Sequence, residues 1–217
     1  MKRFCLLGAS RGLGWGTYLA LSQKYPDAHF LLVSRKIANQ VGELKANTQV
    51  LTFDFSKSTA ADLLPEVQNF SPTEIIYCAG GGPYANFFES SWESHLWSLK
   101  VTFLFPMEFI LKLGQSYKQN RDQWTRTDSS LQSITVIGSS IAESSPDPMA
   151  ASYCAAKHAL KGLISTLQKE NSSQIQIKMF SPGYIATDLL PKNSAPRMDG
   201  RAQSVEAVAS ELINFIE

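Results

Sequence analysis

The chain has 217 residues, which is enough for one large domain. Its 20 Lys and Arg against 19 Asp and Glu leave a formal net charge of +1, which excludes the strongly basic surface of a nucleic-acid or anionic-membrane binder. The 44% hydrophobic and 18% charged residues exclude a disordered chain. No stretch approaches the roughly 18 consecutive apolar residues of a membrane span. We therefore expect neither a nucleic acid nor a membrane as partner.

Short apolar runs alternate with longer helical patterns from one end of the chain to the other. They predict strands at 3–7, 29–33, 50–53, 74–78, 133–137 and 176–180, and helices at about 13–24, 58–68, 91–113, 151–170 and 204–216. This alternation is typical of βαβ units, whose parallel strands form one sheet between two layers of helices. The prediction is an α/β fold with a doubly wound parallel sheet of about six strands, forming a single domain over 1–217.

Two segments depart from this rhythm. The polar stretch 114–132 is interpreted as a solvated loop or frayed helix end, with Trp124 the one residue that would favour a partner site instead. The segment 188–203 holds two prolines and a glycine, and it is interpreted as an irregular flap before the last helix. Flaps of this kind often cover ligands.

A glycine-rich turn follows the first strand directly and opens the first helix. Glycines are needed there because a Cβ would block the close approach of a pyrophosphate, while the helix N-terminus offers unpaired N–H groups. Such a turn is a weak signal alone, but its position after strand one favours dinucleotide binding. The predicted cofactor contacts in this turn are Gly8, Ser10, Arg11, Gly12, Leu13 and Gly14.

A tyrosine and a lysine four residues apart, Tyr153 and Lys157, share one face of the predicted fourth helix. A phenol with a pKa near 10 exchanges protons poorly at neutral pH, and a neighbouring ammonium lowers that pKa. Tyr153 could then pass a proton to or from a substrate oxygen. Ser139, at the end of the fifth strand, would hydrogen-bond the same oxygen, and the adjacent Ser140 is the alternative.

These motifs together resemble the short-chain dehydrogenase/reductase family, whose glycine spacing is Gly-x-x-x-Gly-x-Gly. The resemblance covers residues 2 to about 216 and implies a Rossmann fold, a nicotinamide cofactor and Ser139, Tyr153 and Lys157 as catalytic residues, with Tyr153 and Lys157 also touching the cofactor. It further implies cofactor contacts after the third, fourth and sixth strands. These are Asp54 and Phe55, then Ala79, Gly80 and Gly81, then Pro182, Gly183, Ile185 and Thr187.

The residues after the second strand indicate which nicotinamide cofactor is used. An NAD enzyme usually places a carboxylate there for the ribose 2′-hydroxyl, whereas this chain has Ser34 and Arg35. A guanidinium suits a 2′-phosphate, and Arg11 adds a second cation within reach. The cofactor prediction is NADP(H).

The chain departs from the family pattern at two inner positions and at its end. Cys78 stands where the family has an Asn that braces the sheet, and Leu99 or Lys100 stands where an Asn usually supports a proton relay. The family's seventh strand is not predicted. The two long helices, 91–113 and 151–170, are candidates for pairing in a homodimer.

The predicted function is an NADPH-dependent carbonyl reductase or alcohol dehydrogenase. Candidate pocket residues suggest a small apolar or aromatic substrate; they are Tyr84, Phe87, Phe88, Met149, Tyr184, Leu189 and Leu190. The alternatives are a non-catalytic NADP-binding sensor or scaffold of the same fold, and an epimerase or dehydratase with tightly held cofactor. Three cysteines without C-x-x-C spacing favour a cytoplasmic location, and no histidine has a neighbouring ligand set, so we expect no metal.

Overall fold

The computed structural model describes residues 1–119, 131–144, 146–170 and 175–217. Its six strands form one parallel sheet in the order β3-β2-β1-β4-β5-β6. The strands are β1 (Arg3–Leu7), β2 (His29–Val33), β3 (Thr48–Leu51), β4 (Glu74–Tyr77), β5 (Ser133–Ile137) and β6 (Gln176–Phe180). The predicted doubly wound α/β sheet is confirmed, and β1, β2, β5 and β6 have the predicted bounds.

Helices cover both faces of this sheet. In chain order they are α1 (Gly12–Lys24), α2 (Ala60–Phe70), α3 (Trp92–Leu99), α4 (Phe105–Gln119), α5 (Ala151–Glu170), α6 (Ala195–Met198) and α7 (Val205–Ile216). One apolar cluster lies under α2, α4 and α5, and a second lies under α1 and α7. The four inner strands, β1, β2, β4 and β5, are therefore buried on both sides, which explains their largely apolar sequences, whereas the edge strands β3 and β6 are partly exposed.

Strand β3 begins two residues before the predicted segment 50–53. It pairs with β2 from Phe30↔Thr48 to Val33↔Leu51. Phe53 lies beyond the strand and packs against Phe55 and Phe105 in the core. The apolar run thus contains one residue that is buried, Phe53, while Val50 is 40% exposed, and it did not signal where sheet pairing ends.

The predicted helix 91–113 is divided in the structure. Between α3 and α4 the backbone forms a π-helical segment, Lys100–Leu104. Pro106 follows in the first turn of α4, and a proline has no N–H to donate to the carbonyl four residues earlier, at Thr102. A regular α-helix cannot continue through this point, so the break has a local cause.

The polar segment 114–132 is helical up to Gln119, where α4 ends. Trp124 lies outside the described residues, as do the charged residues of the stretch beyond Gln119. The predicted flap 188–203 contains α6 and is closed at its base by a bridge between Ile185 and Gln203. No helix in the described ranges is long and apolar enough to cross a membrane.

Candidate active site

A cavity of about 450 Å³ opens at the carboxyl ends of the strands. Its walls include residues that follow β1, β2, β4, β5 and β6. The sheet order reverses between β1 and β4, and crevices at such a reversal are where open α/β sheets bind ligands. The cavity therefore lies where the fold favours a nucleotide.

The glycine turn forms one end of this cavity. Gly8 has a φ of +96°, and a Cβ there would overlap the backbone of Ala79. A Cβ on Gly14 would overlap the carbonyl oxygen of Gly8. Helix α1 starts without a side-chain cap and without an acidic residue in its first turn, so its N-terminal N–H groups are available to an anion. This backbone fits a pyrophosphate.

Two cations lie near the turn, as predicted from the sequence. Arg35 lines the cavity, with its guanidinium carbon 5.7 Å from the centre of the Trp97 ring. The Arg11 guanidinium lies 3.6 Å from the carboxylate of Asp188, and both side chains are exposed. Burial alone would raise the pKa of Asp54. Hydrogen bonds from Ser56 and the positive charge of the nearby Arg35 together hold that pKa below its usual range.

The turn after β4 borders the cavity in part. Cys78, Ala79 and Gly80 line the cavity, whereas Gly81 lies in the wall behind it and is not a lining residue. The Gly81 N–H donates to the Thr102 hydroxyl at 3.1 Å, and the Ser98 hydroxyl donates to the Gly81 carbonyl at 2.7 Å. Gly81 therefore connects the turn to the π-helical segment, and its predicted cofactor contact stays a prediction.

The three predicted catalytic residues meet at the other end of the cavity. Ser139, Tyr153 and Lys157 all line it, and the Ser139 hydroxyl is hydrogen-bonded to the phenol of Tyr153. Lys157 is 3% exposed, and its Nζ donates to the carbonyl of Ile137 at 2.5 Å. The same Nζ lies 5.3 Å from the centre of the Tyr153 ring. Ser140 also lines the cavity, and its backbone N–H donates to the carbonyl of Pro182 at 2.8 Å.

Burial sets the protonation of this group. Desolvation raises the pKa of Tyr153 to about 12, and the hydrogen bond from Ser139 opposes that rise. Desolvation lowers the pKa of Lys157 to about 7, with Cys78 acting weakly in the other direction. The expected lowering of the Tyr153 pKa by the Lys157 ammonium is not found: burial governs that pKa, so the phenol holds its proton at neutral pH.

The segment after β6 completes the lining. The predicted cofactor contacts of this segment, Pro182, Gly183, Ile185 and Thr187, all border the cavity. The remaining predicted cofactor contacts that border it are Gly8, Ser10, Gly12, Leu13, Gly14, Ser34 and Phe55. Among the candidate substrate residues, Tyr84, Tyr184, Leu189 and Leu190 line the cavity. Phe87, Phe88 and Met149 do not, and their side chains are exposed to solvent.

Sequence reasoning missed three lining residues of interest: Trp97, Asp147 and Arg201. Trp97 lies on α3 beside Gly81, and Asp147 and Arg201 come from loops. None belongs to a local motif. The one available signal was their position in segments that follow strand ends, where lining residues of parallel sheets accumulate. Among the described residues, no group of three or more His, Cys, Asp or Glu could hold a metal ion.

Known proteins share this arrangement. A family model described as short chain dehydrogenase matches residues 127–197, the part that carries Ser139, Tyr153 and Lys157. Hydroxysteroid 11-beta-dehydrogenase 1-like protein A of Xenopus laevis is 24% identical over 226 residues, covering 98% of this chain and 73% of that protein. The chain thus resembles short-chain dehydrogenases, through the matched segment 127–197 and through this relative along nearly its whole length.

Solved structures agree with this short-chain dehydrogenase fold. The structure of 4-hydroxyisoleucine dehydrogenase complexed with NADH superposes with a TM-score of 0.82 at 19% identity, covering 100% of this chain and 91% of that one. BdcA in complex with NADPH superposes with a TM-score of 0.78 at 19% identity, covering 98% and 85%. The first of these neighbours is complexed with NADH and the second with NADPH.

Proposed function

We propose that this short-chain dehydrogenase is an NADPH-dependent carbonyl reductase or alcohol dehydrogenase that acts on a small carbonyl or alcohol compound. The observation that carries the proposal is that Ser139, Tyr153 and Lys157 border the same cavity as the glycine turn. A cofactor seated on the turn and a substrate beside Tyr153 would share one enclosed space. The proposed cofactor residues are those predicted from the sequence.

Each catalytic side chain has a distinct part in this proposal. Tyr153, protonated at neutral pH because burial raises its pKa to about 12, would donate its proton to the substrate oxygen during reduction. The Ser139 hydroxyl, already directed at the phenol, would hold that oxygen in line. Lys157 would bind the ribose hydroxyls and supply a proton to Tyr153, since its pKa near 7 lets it exchange protons at neutral pH. The nicotinamide, when bound, supplies the hydride.

The preference for NADPH rests on charge. Arg35 and Arg11 are cations at the glycine-turn end of the cavity. Their chain neighbours Ser34 and Ser10 are joined by a hydrogen bond of 2.8 Å between the two hydroxyls. No carboxylate occupies the position directly after β2 that a ribose 2′-hydroxyl would need. Guanidinium groups form bidentate contacts with phosphate, so we infer that this pair binds the 2′-phosphate.

The first test is a fluorescence titration of the purified protein with NADPH and with NADH, at low and high salt. We expect NADPH to bind at least about tenfold more tightly, with an advantage that shrinks at high salt because phosphate contacts are screened. Arg35→Gln should remove most of the difference. Lys45→Gln, which removes one exposed cation away from the cavity, is the matched control. Equal affinity for the two cofactors would contradict the NADPH preference.

The second test separates an enzyme from an NADP-binding sensor or scaffold. Reduction of a panel of small ketones and aldehydes is followed by NADPH oxidation in the wild type and in Tyr153→Phe. We expect turnover in the wild type, loss of turnover in the variant by about 10³-fold or more, and an NADPH affinity within about twofold of wild type. An equal rate in Tyr153→Phe would reject the catalytic assignment. Nicotinamide that co-purifies with the protein would favour the epimerase or dehydratase reading.

The oligomeric state and the compartment are part of the same proposal. Leu104 and Leu111 lie seven residues apart near the junction of the π-helical segment and α4, 41% and 58% exposed. An apolar stripe of this kind favours association, so we expect a homodimer through the 91–113 and 151–170 helices. Sedimentation should give a dimer for the wild type and a monomer for Leu111→Asp.

The three cysteines are free, and we infer a reducing, cytoplasmic environment.

A further inference from the structure

Four polar residues from separate segments gather at the substrate end of the cavity. Tyr84 follows β4, Asp147 precedes α5, Tyr184 follows β6, and Arg201 ends the flap. All four line the cavity that also contains Tyr153. The sequence predicted an apolar or aromatic substrate from this region, but its chemistry is largely polar.

Asp147 is 9% exposed, and protein donors already occupy its carboxylate. The Met149 N–H donates to Oδ1 at 3.0 Å, and the Tyr184 hydroxyl donates to Oδ2 at 3.4 Å. The Tyr84 hydroxyl is also hydrogen-bonded to Asp147. Because the two phenols direct their protons at Asp147, their oxygens offer lone pairs to the cavity and no proton.

Arg201 differs from its three neighbours because it has donors to spare. Its Nε and Nη2 both bond to one oxygen of Asp199, each at 2.8 Å, in a pair whose side chains are 56% and 46% exposed. Its guanidinium carbon lies 5.4 Å from the centre of the Tyr184 ring and it hydrogen-bonds the Tyr184 hydroxyl. A guanidinium carries five N–H groups, so donors remain. An exposed ion pair of this kind contributes little and is readily exchanged for another anion.

The backbone holds Arg201 in this place. The Gln203 N–H donates to the Tyr184 carbonyl at 2.9 Å, and the Ala202 N–H donates to the Pro196 carbonyl at 2.9 Å. Ile185 and Gln203 form the bridge that closes the base of the flap. The two residues that follow Arg201 are thus bonded to α6 and to the segment after β6, and the Arg201 side chain reaches the cavity from this held backbone.

We propose that the substrate of this enzyme carries a carboxylate in addition to its reacting carbonyl or alcohol, and that Arg201 binds this carboxylate and determines specificity. The proposal rests on the proposed function and names its substrate class. The planar guanidinium matches a carboxylate in two parallel hydrogen bonds. A singly charged group fits better than a phosphate, because the negative Asp147 lies one tyrosine away and would repel a dianion.

A different role for Arg201 predicts different results. If the guanidinium only fastens the flap through Asp199 and Tyr184, removing it would weaken the binding of charged and neutral ligands alike. If it binds a carboxylate, removing it would affect charged ligands alone. Asp199→Asn distinguishes these two roles of Arg201 further. It would loosen the flap if Arg201 only fastens it, and it would free Arg201 for an incoming carboxylate if Arg201 binds one.

The binding experiment compares pentanoate with pentanamide, which have the same shape and differ in charge. Ligand-observed NMR measures their affinities for the whole protein, with and without saturating NADPH. We expect the wild type to bind pentanoate at least about tenfold more tightly, as hydrogen bonds to charged groups allow. Arg201→Leu should abolish this preference and leave pentanamide unchanged. Lys192→Leu, which removes an exposed flap cation outside the cavity, should keep it.

Asp199→Asn should strengthen pentanoate binding by up to about fivefold, the value of an exposed ion pair. No preference for pentanoate in the wild type, or an undiminished preference in Arg201→Leu, would overturn the proposal. An equal loss of both ligands in Arg201→Leu would overturn it in favour of the flap fastener. If Arg201→Leu does not fold, Arg201→Gln is used, with folding checked by circular dichroism.

Turnover provides a second readout and separates this inference from the proposed function. Oxo acids with the ketone three to six carbons from the carboxylate are compared with their methyl esters by kcat/KM. We expect the best acid to exceed its ester at least about tenfold, and Arg201→Leu to remove that ratio while retaining the rate for the ester. Reduction of esters without a preference for acids would reject the carboxylate and keep the reductase. Selective binding of pentanoate by a protein that does not bind NADPH would reject the reductase and keep the carboxylate site.

Discussion

Lys157 is a buried lysine whose amine is bonded to a backbone carbonyl rather than to a carboxylate. Desolvation lowers its pKa from 10.5 to about 7. Between pH 7 and 10.5 the unfolded chain therefore binds more protons than the folded chain, and stability rises with pH through that range. Below pH 7 the full cost of burying the charge is present. The buried amine of Lys157 therefore costs stability, as expected of a residue that serves the proposed chemistry.

Lys157→Met should therefore stabilise the fold while abolishing turnover. The methionine keeps the apolar stem and removes the buried charge, so we expect about 1–4 kcal/mol of added unfolding free energy at pH 6. The gain should fall as the pH rises from 7 to 10.5 and vanish above it. Urea unfolding at several pH values measures this effect.

Lys161→Met is the matched control for that substitution. Lys161 lies one helical turn further along α5, is 40% exposed, and pairs with Glu143. We expect its effect to stay within about 1 kcal/mol, as for other surface ion pairs, with no trend between pH 7 and 10. A destabilised Lys157→Met at pH 6 would show that the charge of Lys157 is compensated in the folded protein.

The choice between Ser139 and Ser140 can also be tested residue by residue. Ser139 is hydrogen-bonded to Tyr153, so Ser139→Ala should lower kcat by about 10²–10³-fold, the effect of losing one donor to the reacting oxygen. Ser140→Ala should lower it less than about threefold. Steady-state kinetics on the same carbonyl substrate decides, and the reverse ranking would move the substrate contact to Ser140.

At the scale of elements, the turn between β1 and α1 is shaped by backbone contacts that exclude side chains. A Cβ on Gly14 would overlap the carbonyl of Gly8 and lie 3.1 Å from the Cα of Ala9. These are backbone atoms, which cannot rotate away as the end of a side chain can. The turn can therefore keep its shape only with glycine at this position.

Gly14→Ala should consequently destabilise the protein by about 2 kcal/mol or more and weaken NADPH binding, because the turn must shift. Gly114→Ala is its opposite, since Gly114 lies inside α4 with open space around a new Cβ. It should stabilise the protein by about 0.5–1 kcal/mol without changing NADPH affinity. Thermal unfolding and the NADPH titration measure both effects. Equal stability of the two variants would contradict this description of the turn.

The π-helical segment shows how one element supports the site. Ser98 and Thr102 are fully buried and bond to both backbone groups of Gly81. Their hydroxyls hydrogen-bond the turn after β4 to α3 and to the π-helical segment. The relay asparagine expected near Leu99 or Lys100 is thus absent at a point where the helix itself is irregular, as is frequent at functional sites.

At the scale of the whole molecule, one sheet separates two apolar clusters. Leu63 of α2 belongs to one cluster and Leu212 of α7 to the other, and both are fully buried. Because the inner strands β1, β2, β4 and β5 contribute side chains to both clusters, loss of packing on one face weakens the sheet that supports the other. We therefore expect the chain to unfold as one domain.

Leu63→Ala and Leu212→Ala should each cost about 2–5 kcal/mol, whereas Leu19→Ala, at a site 36% exposed, should cost less than about 1 kcal/mol. Circular dichroism and tryptophan fluorescence should report one coincident transition for all three variants. Separate transitions for the two faces would contradict the single domain predicted over 1–217.

The amino-acid sequence by itself determined the elements and the chemistry of the reacting centre. Apolar runs located four of six strands to the residue, and the pattern over 151–170 located α5 in full. The glycine turn and the pair Tyr153 and Lys157 were readable because their spacing is local, within one turn or one helix face.

Only the tertiary structure decided the features that depend on distant segments. The end of β3 follows from pairing with β2, and the place of Gly81 follows from hydroxyls on another element. The grouping of Asp147 and Arg201 arises because loops from different strands converge at one sheet edge. No local spacing encodes such contacts. The proposed reaction therefore rests on local sequence motifs, whereas the arrangement at the substrate end of the cavity is visible only in the folded chain.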